Sequence, residues 1–96
     1  MDLKDIVIYG FGGFGREVAC LINHINSIKR QWNVIGFIDD GVAVGTENRY
    51  GKVLGDIHFL NSFASPLSVV IAIANPLLLK KITTSITNNL IDFPNL

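Results

Sequence analysis

Cysteine is nearly absent from this chain. Cys20 is the only one, which excludes an internal disulfide and makes the cytoplasm the default compartment. An excess of one charge is missing too. Eight basic and eight acidic residues cancel, and without a basic patch neither nucleic acid nor a membrane surface is an expected partner. No apolar run approaches the ~20 residues of a membrane span. The opening Met1-Asp2-Leu3-Lys4-Asp5 lacks the basic, apolar, small-residue order of a signal peptide. Histidine is scarce, with only His24 and His58. No Ser, Cys or His constellation reads as a nucleophilic catalyst. Cys20 and His24 are four apart on one expected helix, as metal ligands can be, but no second pair completes a site. They are expected to be a helix-buried thiol and a partly exposed imidazole.

Apolar residues are plentiful. They make up 49% of the 96 residues, and the mean hydropathy is +0.41. That length suits one domain with a modest core. The richness fits parallel strands buried on both faces, or a domain that hides part of its surface against another. Ile6 to Tyr9 is a short apolar run that stops at Gly10, as a buried strand does. Val18, Leu21, Ile22, Ile25 and Ile28 then recur at helical spacing and predict an amphipathic helix from Gly13 to Arg30. Val34 to Ile38 is a second strand, and Gly41 to Gly51 reads as a polar, glycine-rich loop. Lys52 to Leu54 reads as a short strand, followed by a brief helix capped by Asp56. Ser68 to Ala74 is the most strand-like run. Asn75-Pro76 opens the next helix, whose buried face is expected from Leu78, Leu79, Ile82, Ile86 and Leu90. Ile91 to Leu96 begins another strand. This order predicts an α/β, Rossmann-like three-layer domain with an open, mostly parallel sheet of four to five strands.

The chemistry gathers where the first strand meets the first helix. Gly10-Phe11-Gly12-Gly13-Phe14-Gly15 is the dinucleotide-fold fingerprint in its required context. Gly10 lets the chain turn off the strand. Gly12 and Gly13 leave phosphate oxygens room to reach the backbone, and Gly15 lets helix and strand pack closely. First-turn amides and the helix dipole then favour an anion. The alternative is a tight, unoccupied turn. A P-loop reading fails because Arg16 replaces the lysine and Glu17 stands where a magnesium-binding hydroxyl is needed. Asp39 and Asp40 end the second strand on the ligand edge, where an acid can accept from ribose hydroxyls or a base N–H. A solvated Asp-Asp-Gly turn is the alternative. Two adjacent acids also disfavour a 2′-phosphate, so NADP is not expected. Asn75 ends the third main strand, as a helix cap or a ligand contact. Arg16 either reaches a phosphate or faces solvent.

The segments IVIYGFGGFGREVACLI, VIGFIDD, GKVLGDIHFL, VVIAIANPLLLKKI and FPNL follow one another in order. Together they resemble the N-terminal domain of bacterial sugar acyltransferases of the sialic-acid O-acetyltransferase and UDP-amino-sugar N-acetyltransferase type. The resemblance spans nearly the whole chain. It implies that Gly10, Gly12, Gly13 and Gly15 line a phosphate site, that Asp39 and Asp40 face a uridine, and that the sugar-phosphate passes Ala74 and Asn75. In that family a left-handed β-helix of hexapeptide repeats follows, which binds acetyl-CoA, carries the catalytic histidine and forms a homotrimer. The chain ends before such a domain begins. It therefore reads as an excised or truncated N-terminal half that binds a UDP-sugar, with no cofactor of its own and no acetyl transfer. Two other readings stay open. The N-terminal domain of nucleotide-sugar dehydratases shares the glycine loop and GFIDD, which implies NAD, although a full dinucleotide fold needs more strands. A ligand-free docking or oligomerisation module would account for the high apolar fraction.

Overall fold

The strand Ile6–Tyr9 is apolar without alternation because helices cover both of its faces. The computed structural model describes residues 2–96. β1 (Lys4–Tyr9) leads into α1 (Gly13–Ile28) and β2 (Trp32–Ile38). A hairpin of β3 (Glu47–Asn48) and β4 (Gly51–Gly55) follows, then α2 (Ile57–Ser62), β5 (Leu67–Ile71), α3 (Pro76–Ser85) and β6 (Ile91–Asp92). One sheet runs in the order β3-β4-β2-β1-β5-β6. Its pairs are parallel except for β3 against β4.

The Rossmann-like, mostly parallel architecture is as the sequence predicts, with one strand more. The sixth is β3, inside the segment expected to be a loop. Asn48 makes the hairpin turn, its side chain accepting from Tyr50 N at 2.8 Å, and Gly51 leaves the turn at φ +154°. A two-residue polar strand carries no hydrophobic alternation to announce it.

The core lies in two layers. Ile6, Ile8 and Phe37 pack with Val18, Ala19 and Ile22 of α1 on one face. Val7, Tyr9, Ile38 and Val69 pack with Leu60 of α2 and Ile82 of α3 on the other. α1 shows the expected spacing, with Val18 and Ile22 buried, but Leu21 and Ile28 are exposed. α3 departs further. Ile82 alone is buried, Ile86 is half-buried, and Leu78, Leu79 and Leu90 are exposed. α3 ends at Ser85, so Leu90 lies beyond it and cannot continue its face. Cys20 is also exposed rather than helix-buried, because it lies on the side of α1 turned from the sheet.

A bulge sets the phase of β2. Ile6 pairs with Val34, but the next residue of β1, Val7, pairs with Gly36. The extra residue switches which side chains face α1, from Trp32 and Val34 before the bulge to Phe37 after it. Gly36 takes φ +151°, and a Cβ there would lie 2.7 Å from Lys52 O, so both conformation and crowding require glycine.

The strand order reverses at β1. From it the chain moves to β2 and β4 on one side, then returns to β5 on the other. Such a switch point opens a crevice at the C-terminal edge of a parallel sheet. Among the described residues, no helix is long and apolar enough to cross a membrane.

Candidate functional site

Gly10 and Gly15 are required by the protein's own packing. Gly10 leaves β1 with φ +118°, and a Cβ on it would stand 2.8 Å from the carbonyl oxygen of Ala72. A Cβ on Gly15 would overlap the Gly10 carbonyl oxygen. Strand end and helix start are thus pressed together, as the fingerprint requires.

Gly12 and Gly13 are different. A Cβ on Gly12 would meet nothing within 4 Å, and one on Gly13 would meet only the Arg16 guanidinium, at 3.9 Å. Packing does not demand glycine at either position, and both are exposed. Their missing side chains leave clear space over the start of α1. Gly12 is the N-cap and offers no side-chain cap, and no acid occupies the first turn. The other helices differ. Asp56 caps α2 through His58 N, and Asn75 caps α3 through Leu77 N and Leu78 N. The start of α1 therefore presents amides that no side chain has claimed, at the positive end of a 16-residue helix.

The two acids point to opposite faces of the sheet. Asp39 Oδ2 accepts from Phe11 N at 3.1 Å, and its Oδ1 accepts from Gly41 N at 2.8 Å. It therefore lies against the glycine loop and is half-buried. Asp40 turns toward α2 and α3. Its Oδ2 accepts from the Tyr9 hydroxyl at 2.6 Å and its Oδ1 from Ile57 N at 3.2 Å. Tyr9 is only 2% exposed. Burial above all, then the hydrogen bond to Asp40 and the charges of Asp40, Asp39 and Asp56, push its phenol well above the ordinary 10.0. Tyr9 and Asp40 line a half-open cleft of about 190 Å³ together with Leu78, Lys81 and Ile82. The fold thus brings Asp39, but not Asp40, to the loop.

Ala74 and Asn75 lie beyond the end of β5, which stops at Ile71 although the apolar run continues to Ala74. Ladder-like bonding reaches Ala72, whose N donates to Tyr9 O at 2.8 Å. Both Ala74 and Asn75 are exposed. The side-chain Oδ1 of Asn75 is engaged in capping, accepting at 3.0 and 3.1 Å, which leaves its Nδ2 amide for another partner. The partnership of Tyr9 with Asp40 had no signal in the sequence, because Tyr9 reads as the last member of an apolar strand.

Together these features define a Rossmann-like domain whose glycine loop opens an uncapped helix start at a topological switch point. The chain belongs to the family described as the PglD N-terminal domain, whose profile matches residues 5–86. The likeness to sugar acyltransferase N-terminal domains seen in the sequence is borne out at the level of the family. Among solved structures it is similar to the acetyltransferase domain of PglB from Neisseria gonorrhoeae FA1090 in complex with acetyl coenzyme A. The two are 25% identical, with a TM-score of 0.66 over 88% of this chain and 39% of that one. The chain therefore spans well under half the length of that neighbour. No curated protein sequence matches it.

Proposed function

We propose that residues 1–96 form the nucleotide-sugar-binding domain of an acetyl-CoA-dependent sugar N- or O-acetyltransferase, with a UDP-sugar as ligand. The observation that carries this reading is the open space over Gly12 and Gly13 at an uncapped helix start. Gly10 and Gly15 shape the loop, and the first-turn amides receive the phosphates. Asp39, beside the loop, accepts from ribose or base, while Asp40 contributes from the far side by fixing the strand end. Ala74 and Asn75 flank the path of the sugar. Acetyl-CoA, the catalytic groups and a homotrimer interface belong to a further C-terminal hexapeptide-repeat domain. The family assignment and the acetyl coenzyme A complex of the structural neighbour support this assignment.

Titration calorimetry with UDP, UDP-sugars and NAD tests it. UDP and UDP-sugars are expected to bind and NAD is not. Gly13→Val is expected to abolish UDP binding while leaving the thermal transition nearly in place, since no protein atom is crowded there. Binding of NAD alone would favour the dehydratase-like reading. Binding of none of them would favour a docking module, a reading to which the exposure of Leu77, Leu78 and Leu79 on α3 lends weight.

A further inference from the structure

The geometry points to Arg16 as the side chain that clamps the diphosphate, a role that rests on the glycine-loop reading above. Arg16 stands on the first turn of α1, where its N donates to Gly12 O at 3.0 Å. Long helical side chains lean toward the helix N-terminus, and this one does so. Its Nη2 lies 3.9 Å from where a Gly13 Cβ would be, and beyond the local helix backbone no other atom comes within 4 Å of that point. The open space over the loop is therefore bordered by one forked cation.

Charge balance calls for such a group. Asp39 sits on the Phe11 amide and puts a full negative charge on the other flank of the loop. The helix end offsets only about half a charge. The diphosphate of a nucleotide-sugar carries one negative charge on each phosphate, so the amides alone would hold it against net repulsion. Several other cations are badly placed to help. Lys4 opens β1 at the far edge of the sheet, and Lys29 and Arg30 follow the C-terminal end of α1. Lys81 borders the cleft with Tyr9 and Asp40 on the opposite face. A planar guanidinium can bridge oxygens of two adjacent phosphates, which a monophosphate cannot offer. Arg16 thus confers a preference for nucleoside diphosphates over monophosphates.

The test is calorimetry of UDP and UMP binding to the 96-residue chain, to Arg16→Gln and to Arg16→Lys, with circular dichroism melts of all three. Arg16→Gln is expected to weaken UDP by roughly tenfold, to weaken UMP much less, and to melt with the parent chain. Arg16→Lys should recover part of the loss, because an ammonium restores charge but not the fork. UDP affinity unchanged in Arg16→Gln, with the parent chain binding UDP, would overturn the assignment of Arg16 alone. An equal loss for UDP and UMP would also overturn the diphosphate role. A parent chain that binds neither ligand would overturn the loop reading and Arg16 with it.

Discussion

At Gly15 the fold has no latitude, because the only room for a Cβ is already filled by the Gly10 carbonyl oxygen. Gly15→Ala is expected to cost about 3 kcal/mol or more, since backbone rather than a side chain must give way. Gly12→Ala should cost less, about 0.5–1 kcal/mol, because alanine is a poorer N-cap than glycine but meets no atom there. Urea unfolding of both variants checks the contrast. Equal losses would mean that the loop is built otherwise than described. Tyr9 supplies a pH signature. Below the ordinary phenol value of 10.0, the folded and unfolded chains both keep its proton. Above that value the unfolded chain ionises while the folded one resists, so stability is expected to fall as pH rises from there toward the raised folded value. Tyr9→Phe should remove that alkaline slope. It should also lower stability near neutrality by about 1 kcal/mol, through the lost bond to Asp40. Denaturant titrations across alkaline pH read both effects.

The elements were legible in the sequence wherever a period or a cap announced them. Asn75-Pro76 is the clearest case, since an N-cap side chain and a proline at the first position fit only a helix start. Asn75→Ala and Asp56→Ala are each expected to cost about 1 kcal/mol, measurable by thermal melts. If Asn75→Ala also weakens UDP, its Nδ2 amide touches the ligand. Less legible was which apolar side chains end up buried. Leu78 and Leu79 fit the spacing of α3 as well as Ile82 does, yet only Ile82 is buried. Periodicity ranks the faces of a helix but does not say how much of a face its neighbours cover. For the site, the loop and Asp39 could be read because strand, glycines and helix are contiguous. Which of Asp39 and Asp40 faces the loop could not, because it depends on a single extra residue in β2.

Across the whole molecule, large apolar side chains remain in solvent. Leu77 is 82% exposed, Val44 70% and Phe14 47%, and each lies in a segment that follows the C-terminal end of a parallel strand. Leu77→Glu is expected to change stability by no more than ~0.5 kcal/mol, while lowering any self-association seen in sedimentation velocity. A marked loss of stability would show that Leu77 packs in a way its exposure does not reveal. The bulge at Gly36 carries a consequence for chain length. β2 holds one residue more than the stretch of β1 it lies against. A chain shortened by one at Ile35 would keep Asp39 over the glycine loop. The same deletion after Gly36 would bring Asp40 there instead, with Asp39 turned toward α3. Tolerance to insertion and deletion in this strand is thus decided by which side of one glycine the change falls on, and a gap misplaced by two residues in comparing chains would exchange the duties of the two acids.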